Sequence, residues 1–149
     1  MAQNSQDAGS VSAQLDGMVC DLLGTYLDAL AEGEEPGVVL CIEDGAANRY
    51  QAAFTDDGEE QCLDAAGAFV QKNADGYAEE AIGAIERYAI ACTGAVDVDG
   101  LYEDAVLVSF FERGMSTAYS AFVLFQGAGE GENFMWSDPE PAGEEPPLL

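Results

Sequence analysis

The chain has no histidine and only four lysines and arginines, against 29 aspartates and glutamates, giving a formal charge of −25 over 149 residues. Without imidazole there is no Ser/His/Asp or Cys/His nucleophile system, no histidine-based zinc site and no ordinary near-neutral proton shuttle. With so few cations there is no electrostatic grip on phosphate backbones or anionic lipid heads, so the expected partners include neither nucleic acid nor membrane. Long apolar runs are missing as well, and no segment approaches the roughly 18 residues of a membrane span. The cysteines at 20, 41, 62 and 92 make no C-x-x-C pair. Neither a G-x-x-x-x-G-K loop nor a G-x-G-x-x-G loop after a strand is present to cradle phosphate.

What the chain does have is 48% apolar residues, enough for one folded domain. Arg49, Lys72, Arg87 and Arg113 are too few to pair the carboxylates, so solvent and counter-ions must relieve most of the repulsion. Acidity of this kind suits a high-salt surface, a lure for a basic partner, or plain solubility. Each cysteine sits in or beside an apolar pattern and reads as a reduced core thiol. Met1 to Ser10 has neither a basic start nor an apolar stretch, so the expected compartment is the cytoplasm.

Along the chain, residues 1–10 are patternless and read as a disordered N-terminus, followed by a single domain over 11–126. Val11, Leu15, Met18, Val19, Leu22, Leu23, Tyr26, Leu27 and Leu30 recur at steps of three and four, which predicts an amphipathic helix over 11–32. Ser10 or Ser12 would begin it and Gly33 would end it. One flank, Ala13, Gly17, Cys20, Gly24, Leu27 and Ala31, is mostly small, and close backbone packing is its expected use. Pro36 and Gly37 break the pattern. Val38–Glu43 and Asn48–Thr55 then read as a hairpin, Asp56–Glu60 as an acidic loop, and 61–72 and 75–86 as two helices.

Three strands follow, Tyr88–Val98, Leu101–Glu112 and Thr117–Gln126. The Asp99–Gly100 dipeptide favours a two-residue type I′ turn, which places Val98 opposite Leu101, Val96 opposite Glu103 and Tyr88 opposite Phe111. Residues 127–149, rich in Gly, Pro and Glu, read as a mobile acidic tail in which Phe134, Met135 and Trp136 dock back on the domain or meet a partner. The expected fold is α+β: order α-β-β-α-α-β-β-β, with an antiparallel sheet of about five strands and helices on at least one face. This order resembles the roadblock and profilin-like arrangement. The resemblance is one of element order, and no functional residue comes with it.

Asp97, Asp99, Gly100, Glu103 and Asp104 suggest a calcium loop until aligned on the glycine. Ala95 and Val106 then fall where the first and twelfth ligands must stand, so the segment reads as a turn. Adjacent acids such as Glu79 and Glu80 do not face each other across a cleft as acid and base must. Cys62 could start a helix, but Glu59, Glu60 and Asp64 disfavour a thiolate there. No catalytic residue, metal site or cofactor is expected. Ala105–Val108 with Phe110 and Phe111, and Ala121–Phe125, are apolar at both parities, so Val106, Val108 and Phe110 should meet a helix or a second copy of the chain in a homodimer.

The function expected is non-catalytic binding of a basic protein surface, in an inhibitor, immunity-type, chaperone-like or nucleic-acid-mimic role. Asp56, Asp57, Glu59 and Glu60 form one candidate cluster and Asp97, Asp99, Glu103 and Asp104 the other. The alternatives are a small carboxylate- or metal-dependent enzyme, or a salt-adapted domain. Unrelieved repulsion makes one prediction independent of these choices: the melting temperature should climb from low salt to about 1 M monovalent salt, where the Debye length is roughly 3 Å. A flat or falling curve would show the charges to be better spaced or paired than this.

Overall fold

In the computed structural model, which describes residues 11–55 and 58–149, the first element is helix α1 (Ala13–Ala31). Ser12 caps it, its hydroxyl accepting from the Leu15 N–H at 3.0 Å. At the other end Gly33, at φ 83°, turns the chain out of the helix. Leu15, Met18, Leu22, Leu23, Tyr26, Leu27 and Leu30 form its buried stripe, the one set by the three-and-four spacing of the sequence.

Strands β1 (Val38–Asp44) and β2 (Arg49–Phe54) form the expected hairpin, and helix α2 (Glu59–Lys72) follows. Strands β3 (Ile85–Val98), β4 (Leu101–Glu112) and β5 (Ala118–Gln126) form a meander, and two further strands, β6 (Met135–Trp136) and β7 (Glu140–Glu145), both pair with β5. The sheet is antiparallel, in the order β2-β1-β3-β4-β5 with β6 and β7 along the β5 edge. The β3–β4 register agrees with the turn argument: Val98 pairs with Leu101, Val96 with Glu103 and Tyr88 with Phe111. Asp99 and Gly100 take φ of 52° and 86°, the positive values a type I′ turn needs.

Two helices divide between the two faces. Helix α1 packs on Val39, Cys41, Ala89, Ala91, Val106, Val108 and Val123, while Cys62, Ala66 and Val70 of α2 pack with Val38, Leu40, Ile42, Ile90 and Cys92 on the other side. Every residue of β1 is therefore buried, which explains why Val38–Glu43 shows no polar alternation. The layer over Val106 and Val108 is α1, with Phe110 half-buried beside them.

The structure departs from expectation in four places. The helix expected over 75–86 is absent. That segment is a 3₁₀ turn at Ala78–Glu80 and the approach to β3, between Gly76 and Gly83, with Tyr77 bridging to Ile82. Its apolar residues still reach the core, for Ile82 and Ile85 are buried and the Tyr77 ring lies tilted against Tyr50 and edge-on to Phe69. The sheet has seven strands where about five were expected, because residues 127–149 supply two. Within that segment Phe134 is buried against Phe125, whereas Met135 and Trp136 are exposed. The small flank of α1 does not pack closely: a Cβ built on Gly17 or Gly24 would meet nothing within 4 Å.

A row of alternating charge crosses four strands. Cα pairing sets Arg49 beside Glu43, Glu43 beside Arg87 and Arg87 beside Glu112. Arg49 Nε donates to Glu43 at 2.6 Å, Arg87 Nη1 donates to Glu43 at 2.7 Å, and Arg87 Nε donates to Glu112 at 2.7 Å. Both ends reach α1: the Ser12 hydroxyl donates to Glu112 at 3.0 Å, and Arg49 donates to Asp21 at 2.9 Å. Burial opposes the charge on Arg87, but the hydrogen bonds to Glu112 and Glu43 outweigh it and raise its pKa. Removing one member of a buried pair leaves the others uncompensated, so Arg87→Met should cost about 3–5 kcal/mol in urea unfolding. Arg49→Met, at a side chain 37% exposed, should cost about 1 kcal/mol or less. Equal losses would mean that the row does not act through its buried centre.

At the β1–β2 turn, Asp44 accepts four hydrogen bonds, from the N–H groups of Ala46, Asn48 and Gly83 and from the Asn48 amide. The Gly83 N–H and the Asn48 amide hold its carboxyl down to about 2, below the ordinary Asp value near 3.9. A depressed carboxylate stabilises the fold above its unfolded pKa and loses that contribution as pH falls through the folded one. The stability gap between the parent and Asp44→Asn should therefore be full above about pH 4 and close toward pH 2, in melts at fixed ionic strength. A gap unchanged between pH 5 and pH 2 would refute it.

Candidate functional site

Where α1 ends and β1 begins, the chain passes through Gly33-Glu34-Glu35-Pro36-Gly37 and borders a cavity of about 770 Å³. The first turn of α2 and the outer half of the β3–β4 hairpin complete its walls. Its apolar surface comes from Leu30, Val38, Phe54, Cys62 and Phe125, and its acids are Glu34, Glu35, Glu59 and Asp104. No lysine or arginine lines it.

Tyr26 anchors the junction between helix and strand. Its hydroxyl donates to the Gly37 carbonyl at 2.6 Å, and burial, offset in part by hydrogen bonding at Thr93, pushes its pKa up to about 12. The phenol therefore stays protonated at neutral pH and serves as a donor. Gly37 has no alternative: its φ is 78°, and an added Cβ would lie 2.7 Å from the Thr55 methyl and 2.9 Å from the Phe54 carbonyl oxygen. This close approach brings the end of β2 against the start of β1 and shapes one wall.

Glu59, in the first turn of α2, lines the cleft beside Cys92. Burial pushes the Cys92 thiol up to about 12, and the neighbouring Glu59 charge and hydrogen bond act in the same direction. Burial likewise raises Cys41 to about 11. Neither thiol is a nucleophile at neutral pH. Among the described residues no group of three or more His, Cys, Asp or Glu side chains is placed to hold a metal ion.

The cleft takes one residue from each cluster singled out in the sequence, Glu59 and Asp104. Glu60 is exposed in the first turn of α2. At the hairpin tip, Asp97 accepts from the Gly100 N–H at 2.9 Å, Asp99 occupies the turn, and Glu103 is half-buried on β4. None of these four lines the cleft. Asp56 and Asp57 lie outside the described residues. Sequence reasoning missed Tyr26, Glu34 and Glu35. The available signal was a doubled acid directly before the Pro-Gly break, with a lone hydroxyl in the apolar stripe of α1.

Cys20 is the one exposed cysteine, and its thiol is raised by burial, Asp16 and Asp21, whereas Cys41, Cys62 and Cys92 are buried. A native-state titration with a colorimetric disulfide reagent should count one thiol, reacting slowly, and the remaining three only on unfolding. Two or more reacting promptly would contradict this core. No family model, curated protein or solved structure matches the chain.

Proposed function

We propose that the chain is a non-catalytic binding protein of the cytoplasm whose acid-rimmed cleft receives a cationic segment of a partner protein. The observation that carries this is the lining of the cleft: an apolar floor, carboxylates from three separate parts of the chain, and no cation. Such a surface suits a lysine or arginine side chain, whose methylenes lie on apolar walls while the charged head meets the carboxylates. Arg49 and Arg87 are held in the charge row, and Arg113 donates to the Ile85 and Ala74 carbonyls. Arg87 is buried, Arg49 and Arg113 are exposed but bonded to the protein's own groups, Lys72 is exposed in the last turn of α2, and none of the four lines the cleft. An inhibitor or chaperone-like role would use such a site directly.

The concavity of the cleft favours the alternative, a carboxylate- or metal-dependent enzyme. A divalent cation that raised the melting temperature by several degrees beyond monovalent salt of the same ionic strength, and did so less in the Glu34, Glu35, Glu59 and Asp104 reversal, would move the site into that class.

The test uses a capped decapeptide of alternating lysine and valine as probe. Reversing Glu34, Glu35, Glu59 and Asp104 to lysine should lower the association rate about tenfold or more at low salt. Reversing Asp138, Glu140, Glu144 and Glu145, an equal change in net charge, should lower it much less. The melts of both variants should stay close to that of the parent, since exposed charges contribute little to folding. Equal loss from both reversals would show a diffuse field and no site.

A further inference from the structure

The two edges of the sheet differ. Along β5 the chain lays β6 and β7, so that edge is closed by its own backbone. At the opposite end β2 is the terminal strand among the described residues. It pairs with β1 in unbroken register from Val38–Phe54 to Glu43–Arg49 and carries no lysine, proline or bulge, the devices that ordinarily blunt an exposed edge. Its arginine is folded back onto Asp21 and Glu43. The outward main-chain donors and acceptors of a six-residue strand are thus presented over roughly 20 Å.

A groove of about 330 Å³ runs between this strand and α1, with Leu22, Ala29, Ala52 and Ala53 among its walls. It shares Tyr26, Glu34 and Pro36 with the acid-rimmed cleft, so the two adjoin. Asp21 stands near the Arg49 end and Glu34 near the other. A second copy of the chain paired edge to edge would set like charges against one another between two molecules of charge −25 each. Asp21 is already paired with Arg49, so a cationic strand would meet uncompensated opposite charge at the Glu34 end of the groove and in the cleft beyond it.

We propose that β2 accepts an extended cationic segment of a partner as an additional strand, with alternate side chains in the α1–β2 groove and a terminal lysine or arginine in the cleft. This rests on the binding function of the cleft and adds the form of the ligand: an extended backbone, read through its N–H and C=O groups. Side chains on one parity meet the small and apolar walls of the groove, and those on the other lie on the α2 face, beside Tyr50 and Phe54.

The full chain is titrated with the lysine–valine decapeptide and with two derivatives, one methylated on every lysine backbone nitrogen and the other on every valine backbone nitrogen. Charge and composition are matched between the two derivatives, while each loses half of the main-chain donors. Strand addition requires that one derivative bind at least tenfold more weakly than the other, and that the parent peptide slow hydrogen exchange at the outward-facing amides among residues 49–54, those not bonded to β1. Equal affinity of the three peptides with binding retained would leave the cationic cleft standing and overturn strand addition. Failure of all three to bind would remove the cleft reading as well. Outward-facing amides of β2 that are already slow to exchange in the free chain, or that slow as its concentration rises, would assign the edge to another part of the molecule or to a second copy, and would equally overturn the proposal.

Discussion

The placement of α1 depends on a single line of charge. Arg49, Glu43, Arg87 and Glu112 stand side by side on four adjacent strands, and the ends of the row hold the helix through Asp21 and through the hydroxyl of its own cap, Ser12. Apolar packing alone would permit the helix to slide along the smooth surface of Val39, Ala89, Ala91 and Val108. Polar anchors at Ser12 and Asp21 define its position along the axis, and the remainder of α1 then carries Tyr26 to the Gly37 carbonyl. The cleft lies at the far end of that chain of contacts. Buried charge pairs offer little net stability over apolar replacements, and a role in specifying one arrangement is consistent with this geometry.

The same row settles the outward field. Of the four cations only Arg87 is buried, and the exposed Arg49 and Arg113 are bonded to the protein's own groups, so the many surface carboxylates have few free positive neighbours. A cleft with apolar walls concentrates that field. Local structure and long-range electrostatics are therefore linked through the small number of cations: Arg49 and Arg87, which join helix and sheet, are already paired with the protein's own carboxylates.

Much of the fold was legible because local signals agreed with tertiary ones. Asp99–Gly100 set the register of the longest hairpin, and the spacing of apolar residues placed α1 to within a residue or two. The segment 75–86 was misread because Tyr77, Ala81, Ile82 and Ile85 satisfy helical spacing as well as the path taken. The deciding contact is non-local, between the Gly83 N–H and the carboxylate of Asp44. The last 23 residues looked like a tail because their composition opposes strand formation, and β7 consists of exposed residues held by main-chain pairing to β5. The cleft was half visible: Glu59 and Asp104 stood in the acidic runs, but only folding brings them beside Glu34 and Glu35.

The strand order has a consequence for the time course of folding. Strands β3, β4 and β5 are joined by short turns and meet their neighbours after closing small loops, whereas β1 must find β3 with Val39 opposite Ala91. Loop-closure entropy makes the meander the early event and the docking of the β1–β2 hairpin the late one. Changes at the Asp99–Gly100 turn would then act mainly on the folding rate, and changes in β1 mainly on the rate of unfolding. The hairpin that carries the open edge would be the last piece of sheet to join and the first to leave.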